Sequence, residues 1–212
     1  MRKYITEFIG TFFLVLIIIT SGQPLAIGST LMVMIFAGGH ISGGHYNPAV
    51  TLAIWIRGKI TMNEAIPYMI FQIAGGIFAA LLAVWLTSMN MGEKTMDLGD
   101  TTLKALVAEI TGTFALAYVV LNVATTRGTS GNSFYGLAIG FTVFVCATGL
   151  GPISGGAFNP AVAISLSVVK AFAWKNIWIY LAGCFGGATI AAMVFNFINV
   201  EDRTVPPLPK TN

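Results

Sequence analysis

Residues 41–50 read Ile-Ser-Gly-Gly-His-Tyr-Asn-Pro-Ala-Val, and residues 153–162 read Ile-Ser-Gly-Gly-Ala-Phe-Asn-Pro-Ala-Val. Eight of the ten positions are identical at one offset, 112 residues (159 minus 47), and a ninth pairs Tyr46 with Phe158. A duplicated decapeptide in a chain of 212 residues implies two homologous halves. Each half then carries a loop that opens a short helix, and inverted repeats with broken helices are one way to build a polar path through lipid.

The rest of the sequence fits a bilayer as solvent. It is 56% hydrophobic and 9% charged, too few charges to cover a soluble surface, which is usually about a quarter charged. The net charge of +3 is small and scattered, which speaks against a nucleic-acid partner. Cys146 and Cys184 both lie in apolar runs, so packing is their expected role rather than a disulfide or metal site. Met1-Arg2-Lys3 has the charge that opens a signal peptide, but Glu7 interrupts the apolar run and no small-residue cleavage site follows. That segment is read as a first transmembrane helix.

Six apolar segments are long enough to span hydrocarbon, near 4–22, 25–41, 64–87, 103–124, 132–150 and 174–198. Two shorter ones, near 48–57 and 160–169, would each reach about 15 Å as helix, half a membrane. The expected architecture is an all-α membrane protein of six tilted spans plus two re-entrant half-helices in an inverted 3+3 repeat. The whole of 1–212 forms one transmembrane domain: a first repeat near 4–88, a linker at 89–102, a second repeat near 103–198 and an extended tail at 199–212 with Pro206, Pro207 and Pro209. An even number of spans puts both ends on one side. With the termini in the cytoplasm, Arg2, Lys3, Arg57, Lys59, Arg127, Arg203 and Lys210 lie inside and Lys94, Lys104, Lys170 and Lys175 outside, the sense favoured by the positive-inside rule. The repeat continues beyond the decapeptide: Glu7-Phe-Ile-Gly-Thr-Phe matches Glu109-Ile-Thr-Gly-Thr-Phe, and Gly75-Gly76 is paired with Gly186-Gly187.

Asn-Pro starts a helix well, because Asn caps it and Pro tolerates the first helical position. Capping uses the side-chain oxygen of Asn47 or Asn159 and leaves its NH₂ to find a partner, expected in a water-filled lumen. The loops at Gly43, Gly44 and His45 and at Gly155, Gly156 and Ala157 have no regular ladder, so their carbonyls are candidate acceptors along a path; close packing is the bland alternative. Packing is the preferred reading for Gly75, Gly76, Gly186, Gly187 and the Gly136–Gly140 pair. Two helix N-termini facing one point would repel cations. Glu7 and Glu109, the acidic residues well inside spans, either accept backbone N–H groups of the glycine loops or couple protons in a carrier. His40 and His45 lack a third ligand for a metal. Trp55, Trp85, Trp174 and Trp178 stand near segment ends, as interfacial anchors do. No nucleophile–base constellation or phosphate loop points to an enzyme.

These residues resemble the aquaporin family, the major intrinsic proteins, over essentially the whole chain. The two Asn-Pro-Ala motifs (Asn47, Pro48, Ala49 and Asn159, Pro160, Ala161), the Ser-Gly-Gly-His approach and a Glu in spans one and four carry the resemblance. It implies a passive pore in each subunit of a homotetramer in the cell membrane, with no cofactor. One departure is plain. The family's usual Arg after the second motif is Val162 here, and motif offsets place the rest of the outer constriction at Ile27, Ala147 and Gly156. The glycerol facilitators' Asp is replaced by Ala163. The resemblance thus implies a wider, uncharged filter, as in plant vacuolar members with Val at this position, passing water with ammonia or urea, and glycerol as a further candidate. A water-selective channel with an atypical filter, a proton-coupled carrier using Glu7 and Glu109, and a non-conducting membrane protein are the alternatives.

Overall fold

The computed structural model describes residues 1–202. Eight helices follow in order: α1 (Arg2–Ser21), α2 (Pro24–Ser42), α3 (Pro48–Ile56), α4 (Met62–Thr87), α5 (Thr102–Thr125), α6 (Tyr135–Ser154), α7 (Pro160–Val168) and α8 (Ile177–Ile198). Six helical segments are long and apolar enough to cross a bilayer, and α3 and α7, at nine residues each, are not. No strand occurs among the described residues beyond an isolated bridge of Met96 with Phe172.

The helix ends have local causes. Gly22, Gly43 and Gly155 close α1, α2 and α6 in the left-handed conformation that glycine adopts without a Cβ clash. Thr61 and Glu64 form a capping box at the start of α4. Several boundaries differ from the sequence reading. The span expected at 132–150 begins at Tyr135, because Asn132 is drawn into a turn by bonds to the Val123 and Thr129 carbonyls. It then runs on through Pro152, which removes only one donor, and ends where the Gly155 N–H meets the Gly151 carbonyl at 2.8 Å. The tail expected from 199 begins instead with a short 3₁₀ turn, Val200–Asp202, whose Asp202 pairs with Arg57 at 3.2 Å. The expected extended stretch with Pro206, Pro207 and Pro209, and the charges of Arg203 and Lys210, lie outside the described residues.

Packing repeats at the offset of the decapeptide. α1 lies along α4 and α5 along α8, while α2 crosses α6 between the halves. Gly28 and Gly140, 112 apart, each press on the other's carbonyl, so the pseudo-twofold relation passes between them. Small residues allow such approaches in lipid. The same logic corrects one pairing. Gly75 sits on the Phe8 carbonyl and Gly187 on the Ile110 carbonyl, so these two are equivalent, whereas a Cβ at Gly186 would meet nothing. The adjacent glycines concealed a slip of one position. The half-helices are buried at the centre: α3 packs against α4, α5 and α8, α7 against α4 and α8, and the two touch each other.

Candidate solute pathway

Two buried carboxylates organise the two loops. Glu7, on α1, accepts from Ser42 Oγ at 2.6 Å, His45 N at 3.0 Å, Tyr46 N at 2.6 Å and Gln72 Nε2 at 2.7 Å. Glu109, on α5, accepts from Ser154 Oγ at 2.6 Å, Ala157 N at 3.0 Å, Phe158 N at 2.7 Å and Cys184 Sγ at 3.5 Å. Both residues are fully buried. Irregular backbone at membrane depth must have its N–H groups satisfied within the protein, and a carboxylate offers up to four lone-pair sites in one place. Tyr68 and Tyr180 complete the frame by donating to the Ser42 and Ser154 carbonyls at 2.8 and 2.7 Å.

Tyr46 and Phe158 hold φ angles of 49° and 45°, a region that bulky residues avoid. Their rings are seated on glycines, Gly10 and Gly38 for Tyr46 and Gly112 for Phe158. Their N–H groups are held by Glu7 and Glu109, and their carbonyls are taken by the opposite half. Asn47 Nδ2 donates to the Phe158 carbonyl at 2.8 Å, and Asn159 Nδ2 to the Tyr46 carbonyl at 2.9 Å. The side-chain oxygens cap the half-helices, Asn47 accepting from Ala49 N and Asn159 from Ala161 N at 2.8 and 2.9 Å. The expectation that the amide NH₂ finds its partner only in the lumen is therefore corrected. One N–H ties the halves together, and the second remains for the cavity that both Asn residues line.

That cavity, of about 310 Å³, starts at Gly22 and Pro24 on the face away from the termini and reaches past Asn47 and Asn159 to Gly44 and His45. Ile27, Ala147, Gly156 and Val162 all line it, as do Gly155 and Ala157. Leu14, Ile18, Val120, Ile139 and Val143 give it an apolar flank, and among the described lining residues there is no Lys, Arg, Asp or Glu. Pro48, Ala49, Pro160 and Ala161 are buried behind the two Asn residues. Gly43 belongs to a second cavity, about 700 Å³, on the face of the termini, with His40, Arg57, Lys59, Arg127 and Asp202 on its wall. Burial, and then the neighbouring charge of Arg57, hold the Lys59 ammonium below its usual value.

Several supporting residues carry no signal in the short motifs. Gln72 bridges Glu7 and the Thr51 hydroxyl, the latter at 2.9 Å. That hydroxyl also donates to the Asn47 carbonyl at 3.0 Å, so His45 Nδ1, 3.1 Å away, is its donor. Cys184, read from sequence as packing, lies on Glu109 where Gln72 lies on Glu7. The offset of 112 applied to the helix positions (184 minus 72, 180 minus 68) would have paired these residues.

The sequence profile of the family described as Major intrinsic protein matches residues 1–195. The chain belongs to that family. Among known proteins it is similar to Nodulin-26 of Glycine max, 32% identical over 227 residues that cover 100% of this chain and 82% of the relative. It is also similar to Aquaporin TIP1-2 of Zea mays, 35% identical over 190 residues (88% of this chain, 74% of the relative). Aquaporin NIP1-3 of Oryza sativa subsp. japonica is 34% identical over 226 residues (99% and 78%). The fold matches the aquaglyceroporin from Plasmodium falciparum with a TM-score of 0.76 at 18% identity, covering 96% of this chain and 99% of that one. Members of the family are channels rather than enzymes, and this major intrinsic protein is an integral, multi-pass membrane channel for water and small solutes.

Proposed function

We propose that this channel conducts water together with small neutral solutes, ammonia and urea first among them, while excluding protons and cations. The support for this reading is that Ile27, Ala147, Gly156 and Val162, none of them charged, all line one cavity, and we take them to form its outer ring. A ring with a fixed cation repels charge and offers strong hydrogen bonds, which suits water. A ring of aliphatic groups repays less of the hydrogen bonding that a solute gives up, and this penalises water more than a less polar solute. Ammonia then gains relative to water, and the small Ala147 and Gly156 leave the width that urea needs.

Cation exclusion falls to the half-helices. Each N-terminus carries about half a positive charge, and α3 and α7 bring theirs to the same point. The free N–H of Asn47 and of Asn159 holds a passing water by its oxygen, so its hydrogens point outward in both directions and a proton relay is interrupted. The Gly43, Gly44, His45, Gly155, Gly156 and Ala157 carbonyls supply acceptors on either side. The carrier alternative has little support in Glu7 and Glu109, whose oxygens are filled by backbone donors of the loops, by Ser42 and Ser154 and, at Glu7, by Gln72.

In this reading 1–212 acts as one channel domain that assembles as a homotetramer in the cell membrane with its termini in the cytoplasm. The support for orientation is the count of seven Lys and Arg on the side of the termini against four. Reconstituted vesicles under an osmotic gradient test the solutes, and a pH-sensitive dye inside the same vesicles tests the protons. Water, ammonia and urea should all cross faster than in empty liposomes, with no proton leak at neutral pH. Flux equal to that of empty liposomes, or a proton current, contradicts the reading.

A further inference from the structure

In the outer ring two of the four walls have almost no side chain, Ala147 and Gly156. At Gly156 the wall is the backbone, so whatever holds that backbone sets the aperture. Gly155 and Gly156 have φ angles of 89° and 63°. A Cβ placed on Gly155 would stand 2.6 Å from Phe172 Cζ and 2.9 Å from Met96 Sδ, so an aromatic ring and a thioether rest directly on this glycine from behind the wall.

Both residues are anchored. Met96 belongs to the segment joining the halves, and its N–H donates to the Ala171 carbonyl at 2.8 Å while its carbonyl accepts from Ala173 N at 3.1 Å. Thr95 Oγ1 donates to the Lys170 carbonyl at 2.7 Å, and Asp97 pairs with Lys175 at 2.6 Å. The Phe172 ring is buried and stacks on Tyr180 with centroids 4.6 Å apart, and Tyr180 in turn donates to the Ser154 carbonyl.

The first half supplies the internal comparison. Its loop has the same carboxylate, serine and tyrosine bonds, and Gly43 has the same left-handed φ of 91°. A Cβ on Gly43 would meet only the ring of His45 from its own loop. The brace is therefore added to one loop, the one that carries Gly156 and leads into Val162.

We propose that Met96 and Phe172 are specificity-determining positioning residues, which hold the Gly155–Gly156 backbone against the lumen and thereby fix the width of the outer ring. This rests on the reading of that ring as the solute filter. Truncating the brace leaves space behind the wall, into which the loop retreats, and larger solutes gain over water.

The test is the ratio of urea to water permeability in vesicles containing Met96→Ala, Phe172→Leu, Met96→Leu or Asp97→Asn, with glycerol as a larger probe. Met96→Ala is expected to raise the ratio about tenfold, the lower end of what one methylene at a pocket wall discriminates. Asp97→Asn, which loosens an exposed clasp without opening a cavity, shifts the ratio in the same direction by less, and Met96→Leu restores the parent value. Should Phe172→Leu not fold, the Met96 pair and Asp97→Asn carry the result. A folded Met96→Ala with the parent ratio, or a Met96→Leu as altered as Met96→Ala, overturns the inference. A parent that passes water and excludes urea sinks the functional reading instead, and the brace then requires that Met96→Ala admit urea.

Discussion

Each of Asn47 and Asn159 works at both ends of its side chain: the oxygen caps a half-helix and one N–H donates across the pseudo-twofold axis. The cap follows from the Asn-Pro dipeptide and was legible in the sequence. The crossed bond was not, because it requires the carbonyls of Tyr46 and Phe158 to be turned by a positive φ that neither residue favours. The two carboxylates beneath differ in the fourth donor, and that difference is testable. Gln at either position turns an NH₂ toward groups that are already donors. At Glu7 the Oε2 side faces Tyr46 N and the Gln72 amide, while at Glu109 it faces Phe158 N and a thiol that can also accept. Lost hydrogen bonds to a charged group are worth about 1.5–3 kcal/mol each. Both Glu7→Gln and Glu109→Gln are therefore expected to lower the melting temperature in detergent, Glu7→Gln more. Equal shifts would mean that Gln72 contributes nothing.

Among the elements, helix pairs touch through glycine, and the register decides which glycine. Gly187→Ala places a methyl group on the Ile110 carbonyl and should cost about 1–3 kcal/mol as overpacking. Gly186→Ala meets open space and should be neutral or stabilising by up to about 1 kcal/mol, the helix propensity difference. Thermal unfolding of the two variants reads the outcome, and a larger loss at Gly186 would shift the repeat by one residue. Sequence alone favoured the wrong register, since the adjacent glycines match at both positions with an offset of 111 and at one position with 112. The segment joining the halves read as a polar linker. Its Met96 bridge and Leu98, which is 3% exposed, were invisible because a one-residue bridge leaves no period. The hydrogen bond from Lys175, and next that from Asn176, hold the Asp97 carboxyl below its usual range. A depressed folded-state value means that the clasp is complete above the ordinary Asp pKa, about 4, and is lost as pH falls through the lower folded value. Melting temperature should thus change little with pH above about 5 from this source. Asp97→Asn should remove whatever acid dependence the clasp contributes, as a pair of pH–melting curves would display.

At the scale of the whole molecule the fold was legible because it is stated twice. The repeated decapeptide, two half-length apolar stretches and six full-length ones leave few arrangements in which every backbone group is satisfied in lipid. The candidate filter was legible only as positions: offsets from the two motifs point to Ile27, Ala147, Gly156 and Val162, all of which line one cavity, but Met96 and Phe172, which rest on the neighbouring Gly155, come from segments that no motif marks. In the proposed mechanism an outer ring without a fixed cation, above two opposed helix N-termini, lets small neutral solutes pass with water. Stopped-flow light scattering of vesicles carrying the parent chain or Val162→Arg tests it most directly. The account predicts that the parent passes urea and ammonia as well as water, and that Val162→Arg reduces the solute fluxes about tenfold or more while water flux falls far less. A parent that passes water alone, or a Val162→Arg variant in which all fluxes fall in the same proportion, would contradict it.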